Sequence, residues 1–513
     1  MKKANITFMI LLLLAFSIRL AWFYMTDNTG CGDAAARLNI TQIWLYSHWY
    51  VPRIDYLEIL NPSLDWLPLH FYLIGALCYI FHDLIYAPRL FTLFISVISL
   101  IPLYRICLIR YGQTAAYIGA AILACYGMHI FLSSLILSES FYIYFLLWSY
   151  YFIERYKINQ DDRKNILLLA ASLFCCCLLR YEAWFFAPLV ILTIPFIKKI
   201  RLKNFLILLL LPAIAVCFVM TCEYLQGQHP LRGILYSDFE VRQTSLYTGG
   251  FDYATLLQSY LPCYILASIF FLIRYIRYGD KSNGLILALY LLPVSPFIYK
   301  LLNGTLTPQA RYLVIYMAPG IVLIAGFIYQ VSVKFKVRTV SLILFITAYI
   351  IVANVSFARQ IDQHRDKLKY LPGFEKSAYY FRDSITLSKA YVDYGQDLSG
   401  SNWMVYANQY DAIHSASFID SAARVMHVNP QIFIQRTYKG VRYRISGHEA
   451  EWHTWKKSSF DDLLLDNGIS HIVLFPDGPL SRMLHFSKEQ EAYQHKHFKR
   501  LFSQDGYMIY QIE

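Results

Sequence analysis

The chain reads as a polytopic α-helical membrane protein of about eleven transmembrane helices with a small extracytoplasmic α/β domain at its C-terminal end, and three observations lead there. Its 513 residues are 57% hydrophobic and 17% aromatic but only 16% charged, too little charge for a soluble protein of this length. The mean hydropathy of +0.39 averages two unlike stretches, an apolar one over 1–358 and a more polar one over 359–513. Most Lys and Arg residues stand in short clusters between apolar runs, where membrane proteins keep their cytoplasmic charge, so the net charge of +12 is not the footprint of a nucleic-acid partner.

A spanning helix needs about 20 predominantly apolar residues. Runs that meet or approach this lie at 6–24, 88–108, 114–133, 138–154, 165–180, 183–197, 204–223, 256–273, 283–300, 311–331 and 338–357. The first follows Lys2-Lys3 as a secretory signal would, but its apolar length suits a full span and no small-residue cleavage site closes it, so it is expected to remain as the first helix. Trp66–His82 is ambiguous: it has 17 residues, with Pro68 and His70 near its start, and either crosses the bilayer or lies in the interface.

The distribution of positive charge decides between these. If Trp66–His82 does not cross, the cytoplasmic side receives Lys2, Lys3, Arg105, Arg110, Arg155, Lys157, Arg163, Lys164, Lys198, Lys199, Arg201, Lys203, Arg274, Arg277, Lys281, Lys334, Lys336 and Arg338. The other side keeps Arg37, Arg53, Arg89, Arg180, Arg232, Arg242, Lys300 and Arg311, a partition of 18 to 8. A crossing segment would invert most of it. The expected topology has a cytoplasmic N-terminus, a transmembrane domain over 1–358, a long first external loop at about 25–87, external loops near 133–139 and 224–254, and an external domain over 359–513. Loops of such length are usually functional.

All ten cysteines, from Cys31 to Cys263, precede the polar tail, which therefore holds no disulfide. Cys175, Cys176 and Cys177 occupy consecutive helix positions and cannot all face one ligand, so they read as packed or lipid-facing thiols, and neither a zinc spacing nor a P-loop is present. In the tail, Trp403–Tyr406, Val441–Ser446, His471–Phe475 and Tyr507–Ile512 read as strands, and Phe460–Asn467 reads as a helix ending at Gly468.

Ionisable groups at the outer membrane boundary are the informative ones, because a charge beside hydrocarbon is costly. Asp33 stands between Gly32 and Ala34, and the flanking Gly30 and Gly32 let the backbone turn so that the carboxylate faces a cavity. It equally suits an N-cap for a helix beginning at Ala34. Glu139 opens a span, where an acid also favours the helix N-terminus. Arg180, Tyr181 and Glu182 interrupt two short apolar runs and so fall at an outer turn, as a local ion pair or as part of a site. Arg232 and Arg242 lie in the third external loop. Arg311 begins a span, either snorkelling to headgroups or gripping a phosphate through its planar fork. Of the 43 Tyr, 35 Phe and 9 Trp, most belong to interfacial belts and helix packing.

In plan, residues 1–360 resemble the C-type (GT-C) membrane glycosyltransferases, within them the group of protein mannosyltransferases and lipid A aminoarabinose transferases. The resemblance rests on Gly32-Asp33 after the first span, Asn61-Pro62, Trp66-Leu67-Pro68-Leu69-His70-Phe71-Tyr72, Arg89-Leu90, Ser138-Glu139-Ser140, Arg180-Tyr181-Glu182 and Arg311-Tyr312-Leu313. The order of these motifs and their common side of the membrane carry it, more than any one of them, and the external tail also looks like the family's periplasmic or lumenal domain. Many members carry two successive acids in the first loop, whereas Ala34 follows Asp33 here, leaving Asp33 as the single obvious candidate.

The resemblance implies an enzyme that takes a hexosyl or pentosyl group from a polyprenyl-phosphate carrier and passes it, with inversion, to a hydroxyl of a lipid, glycan or protein acceptor at the extracytoplasmic face. Asp33 would be the general base and Glu139 a second acid orienting the acceptor or the catalytic groups. Arg180 and Arg311, with Arg232 or Arg242, would stabilise the departing phosphate, and Tyr181, Glu182, His70 and Tyr312 would shape the acceptor site. No cofactor is required, although a divalent metal is compatible with the chemistry. A bacterial inner membrane is the expected setting, since the tail lacks cysteine and Gln511-Ile512-Glu513 is no retention signal, while the potential glycosylation sites Asn39-Ile40-Thr41 and Asn303-Gly304-Thr305 leave a eukaryotic lumenal setting as the alternative. The rivals are a transporter or flippase for a lipid-linked sugar, an oligosaccharyltransferase, and a noncatalytic scaffold. The absence of an internal repeat and the gathering of loops on one face weigh against transport.

Overall fold

The computed structural model describes residues 2–25, 37, 41, 66–81, 86–159, 163–197, 200–225, 230–231, 261–279, 281–291, 310–336, 341, 344–348, 350–351, 354, 389–392, 425–426, 469–474, 498–504 and 507–512. The chain divides into two compact units, Met1–Asp27 with Trp44–Asp362, and Asn28–Ile43 with Gln363–Glu513.

The first unit is helical. Its described helices are α1 (Lys2–Met25), α2 (Leu69–Phe81), α3 (Tyr86–Ile98), α4 (Leu100–Tyr111), α5 (Gln113–Ala124), α6 (Gly127–Ser133), α7 (Ser138–Ile158), α8 (Arg163–Cys177), α9 (Glu182–Ile197), α10 (Leu202–Leu225), α11 (Leu261–Tyr278), α12 (Lys281–Leu291) and α13 (Ala310–Lys334). Among the described residues, Ile6–Tyr24, Tyr86–Tyr111, Leu202–Leu225 and Val314–Lys334 are long and apolar enough to cross a membrane on their own. The runs expected at 138–154 and 183–197 are also helical, in α7 and α9, as are 165–177 of the run expected at 165–180, in α8, and the described part of the run expected at 256–273, 261–273, in α11. The ambiguous Trp66–His82 stretch contains only the 13-residue α2, about 20 Å long at the α-helical rise, well short of a hydrocarbon core of about 30 Å.

Two departures from continuous spans have identifiable causes. Tyr86–Tyr111 is one apolar span in two pieces, broken at Ser99. Pro102 has no N–H to offer the Ile98 carbonyl, which interrupts the helical ladder there, and the Ser99 hydroxyl turns back to donate to Ser96 O at 2.6 Å. The run expected as one helix over 114–133 is two, α5 and α6, bent by 58°. Between α4 and α5, Gly112 turns the chain in a single residue at φ +90°, a left-handed conformation that the absence of a Cβ permits.

Small residues let the helices of the core approach closely. Ala116, Ala120 and Ala124 repeat at every fourth position of α5 and are fully buried, and a Cβ on Gly119 would meet Cys107 and Ala325. On α13, a Cβ at Gly320 would strike the Tyr264 ring and one at Gly326 the Tyr111 ring, so each glycine makes room for an aromatic side chain.

The second unit contains a five-stranded sheet of β1 (Lys389–Val392), β2 (Val425–Met426), β3 (Ile469–Leu474), β4 (Phe498–Gln504) and β5 (Tyr507–Ile512) in the order β2-β1-β3-β5-β4. β1 runs parallel to both β2 and β3, while β3–β5 and β4–β5 are antiparallel. Parallel neighbours need long crossovers, as in an α/β unit. Two expected strands, His471–Phe475 and Tyr507–Ile512, coincide with β3 and β5 to within two residues. β1, β2 and β4 were not foreseen; Lys499 and Arg500, with a register shift before Phe502, obscure the alternation of β4. Trp403–Tyr406, Val441–Ser446 and Phe460–Asn467 lie outside the described residues.

Candidate active site

One end of the helical unit gathers the starts of α2, α3, α7 and α9 and the ends of α8 and α10. The chain leaves α8 through a tight turn in which Arg180 N donates to Cys176 O at 3.1 Å, and Ala183 N returns to Arg180 O at 3.1 Å as α9 begins. The indole of Trp184 donates to Cys177 O at 2.8 Å, satisfying a carbonyl that the end of α8 leaves open. Leu69 N donates to Leu178 O at 3.1 Å, which pins the start of α2 to this corner. His70, fully buried, stands edge-on to Phe141 of α7 with ring centroids 5.4 Å apart.

The corner presents Arg180 to two carboxylates. Its Nη1 lies 3.0 Å from Glu139 Oε1, and its Nη2 and Nε donate to the two oxygens of Glu182 at 2.8 and 3.1 Å. The second contact is the bidentate fork to which Arg is suited. The local Arg180–Glu182 pair allowed by the sequence is therefore present, and Glu139 joins it from a helix more than 40 residues away in sequence. Glu139 sits in the first turn of α7, where the helix dipole favours an acid, and only 2% of it is exposed. Among the described residues, its second oxygen, Oε2, and the buried Ser138 hydroxyl have no hydrogen-bond partner.

Further groups surround this cluster. Tyr181 donates to Glu223 Oε1 at 3.4 Å, and Glu223 is a buried acid in the last turn of α10. Tyr142, one turn beyond Glu139, and Tyr316 of α13 share the electrostatic neighbourhood of Arg180 and Glu182. Arg89 is buried at the start of α3, donates to Ser134 O at 2.9 Å and lies over the Phe23 ring at 4.3 Å.

Of the residues selected from sequence, Glu139, Arg180, Tyr181, Glu182 and His70 thus converge on this end. Arg311 and Tyr312 lie in the first turn of α13, four to five positions before Tyr316, and their side chains are outside the described residues. Asp33, Arg232 and Arg242 are outside the described residues as well. No group of three His, Cys, Asp or Glu side chains able to hold a metal occurs among the described residues. Among the described residues, buried ionisable groups that were not singled out from sequence include Glu223, hidden at the end of an apolar run, and Arg19 within the first span. A lone charge inside such a run is the signal that marks both.

Comparison with known proteins agrees with this architecture. Residues 62–223, which carry α2 to α10 and the whole Glu139–Arg180–Glu182 cluster, match the family of dolichyl-phosphate-mannose-protein mannosyltransferases. The structure resembles ArnT from Cupriavidus metallidurans bound to undecaprenyl phosphate, with a TM-score of 0.54 and 10% identity over 97% of both chains. It also resembles the Archaeoglobus fulgidus oligosaccharyltransferase in complex with zinc and sulfate, with a TM-score of 0.53 and 14% identity over 98% of this chain and 72% of that one. The oligosaccharyltransferase AglB from Archaeoglobus fulgidus, in complex with an inhibitory peptide and a dolichol-phosphate, gives a TM-score of 0.53 and 12% identity, covering 99% of this chain and 74% of that one. No curated protein matches by sequence. The fold is shared with these solved structures, and the apolar helices are those of an integral membrane protein.

Proposed function

We propose that the protein is a membrane glycosyltransferase that moves a hexosyl or pentosyl group from a polyprenyl-phosphate carrier to an acceptor hydroxyl at the extracytoplasmic face. The observation that carries this reading is the Glu139–Arg180–Glu182 cluster, built around a buried carboxylate at one end of the bundle, inside the segment matched to a family of lipid-linked sugar transferases. Two neighbours in fold were solved with undecaprenyl phosphate or dolichol-phosphate, which supports a donor of the same class.

In the proposed reaction, Asp33 takes the proton of the acceptor hydroxyl as its oxygen attacks the anomeric carbon. The bond from that carbon to the phosphate oxygen breaks on the opposite face, so the configuration inverts. Negative charge collects on the departing phosphate, where Arg311, with Arg232 or Arg242, stabilises it. The free Oε2 of Glu139 accepts a hydrogen bond from the incoming acceptor, while Arg180 holds the other oxygen. Tyr181, His70 and Tyr312 shape the cavity. The acceptor is a lipid, glycan or protein, and the membrane is the bacterial inner membrane.

Reconstitution in vesicles with a labelled polyprenyl-phosphate sugar tests the class. The expected result is sugar on a new acceptor and free polyprenyl phosphate; movement of the intact carrier across the bilayer without transfer would make the protein a flippase. The oligosaccharyltransferase reading is favoured by comparable TM-scores, but this chain matches nearly the full length of ArnT and about three quarters of the oligosaccharyltransferase. Transfer of a single sugar in preference to a preassembled glycan separates the two.

Two further outcomes follow from this assignment. Arg311→Ala is expected to weaken donor binding by roughly tenfold to a hundredfold, since a charge-assisted hydrogen bond contributes about 1.5–3 kcal/mol. Arg311→Lys should restore only part, because an ammonium lacks the two-pronged geometry. Equal affinity in all three proteins for polyprenyl phosphate would leave Arg311 as a headgroup anchor. For the topology, single cysteines placed in the 359–513 domain of a cysteine-free protein should react with an impermeant maleimide in intact spheroplasts. Protection until the membrane is lysed would place that domain in the cytoplasm.

A further inference from the structure

The bend between α5 and α6 interrupts a span and opens backbone groups that a bilayer cannot satisfy. Two side chains close it. Arg19 of α1 is fully buried and fills all five of its N–H donors: Nε to Ser96 Oγ at 3.0 Å, Nη1 to Ala15 O at 3.1 Å and Ala124 O at 2.9 Å, and Nη2 to Leu123 O at 3.2 Å and His129 Nδ1 at 2.7 Å. A guanidinium has no acceptor, so His129 accepts through Nδ1 and carries its proton on Nε2. Asn354 donates to Cys125 O at 2.8 Å and accepts from Gly127 N at 2.7 Å. Among the described residues no carboxylate pairs with Arg19. Its charge is balanced by the carbonyl end of α5, the negative pole of that helix.

What the bend delivers is the approach to Glu139. α6 has only seven residues, and Ser140, next to Glu139, donates from Oγ to Leu132 O near the end of α6 at 3.3 Å. Arg89 holds Ser134 O between the two helices. A contiguous chain of contacts therefore runs from Arg19 and Asn354 through the bend and α6 to the turn from which Glu139 reaches Arg180.

We propose that Arg19 is a positioning residue for sugar transfer: by capping the carbonyl end of α5 and fixing the bend, it sets the placement of Glu139. The role rests on Glu139 serving the transfer reaction. Asn354 is its partner in the same task.

The test is a double-mutant cycle on the full-length protein in vesicles. Arg19→Met and Asn354→Ala are each measured alone and together with Glu139→Gln, using polyprenyl-phosphate mannose and polyprenyl-phosphate arabinose as donors and undecaprenyl phosphate for binding. In the otherwise wild-type protein each is expected to lower kcat by about tenfold to a hundredfold, the scale of a misplacement of about 1 Å, with affinity for undecaprenyl phosphate unchanged. In the Glu139→Gln protein neither should cost more than about a further twofold, because the group they position is already lost. Asn354→Ala strands fewer buried polar groups than Arg19→Met, so it carries the test alone if Arg19→Met does not accumulate. Equal losses with and without Glu139, or an unchanged kcat in Asn354→Ala, would overturn the positioning role. A wild-type protein that moves the intact sugar carriers across the bilayer and transfers no sugar would overturn the glycosyltransferase reading itself, and this role with it.

Discussion

Asp33→Asn is expected to lower sugar transfer by about a hundredfold or more while expression, thermal stability and donor binding stay close to wild type. The substitution is informative because Asn keeps the shape of Asp and most of its capacity to cap a helix, but cannot accept a proton. A capping role would leave turnover nearly intact; a general-base role would not. The selection of Asp33 comes from its glycine-flanked place in the first external loop and from the family resemblance, in which a first-loop acid serves as base. The alternative base is Glu139, and the structure shows what that would entail. One of its oxygens is already held by Arg180 at 3.0 Å, so only Oε2 is left to receive a proton. Near-normal turnover in Asp33→Asn, measured as sugar transferred per enzyme at saturating donor, would move the base to that oxygen. Glu139→Gln would then be the inactive variant.

Much of the site could be read from the sequence because charge in an apolar context is conspicuous. Arg180 and Glu182 stood between two apolar runs, and Glu139 opened another; the structure unites the three. What the sequence could not reveal is the partner. Glu139 and Arg180 are far apart along the chain, and nothing in their local residues distinguishes a local pair from a cluster of three. Arg19 escaped for a different reason. The run from Ile6 to Tyr24 tolerates one charge without losing its apolar character, and the groups that compensate Arg19 are mostly backbone carbonyls, which every residue possesses. The bend at Cys125 and Tyr126 was equally hidden, since 114–133 holds no proline and reads as one uninterrupted helix. The cost of breaking it is met by Asn354, more than 200 residues downstream.

The charge pattern that set the expected topology has the same limit. Arg110 counts among the cytoplasmic charges, and it forms an ion pair with the buried Glu154, to which Tyr290 donates at 3.4 Å. Arg110 and Glu154 lie at the ends of α4 and α7 remote from the Glu139 cluster, so the described residues hold an ionic group toward each end of the bundle. Among the described residues, the Glu139 group has a buried carboxylate oxygen without a hydrogen-bond partner and stands beside Arg180 and Glu182, which the sequence also selects, and that favours the Glu139 end for the proposed chemistry.

Arg180 is where the structure most changes the expectation drawn from sequence. A guanidinium that already faces the carboxylates of Glu139 and Glu182 is committed to holding the site together before any phosphate arrives. Arg180→Ala should therefore abolish transfer and also destabilise the protein, by about 3–5 kcal/mol, the scale for leaving one member of a buried ion pair uncompensated. The side chain of Glu139 is only 3% exposed, which makes it the member left stranded; Glu182, at 30%, can turn to water. Adding Glu139→Gln to Arg180→Ala removes the stranded charge and should recover most of the lost stability without recovering transfer. Thermal unfolding of the purified variants, with and without undecaprenyl phosphate, reads both effects. If Arg180 instead served mainly to grip the donor, Arg180→Ala would unfold at the wild-type temperature in the absence of lipid and lose only the stabilisation that the lipid confers. The second carboxylate change would then restore nothing, and Arg180 would return to the set of phosphate ligands with Arg311.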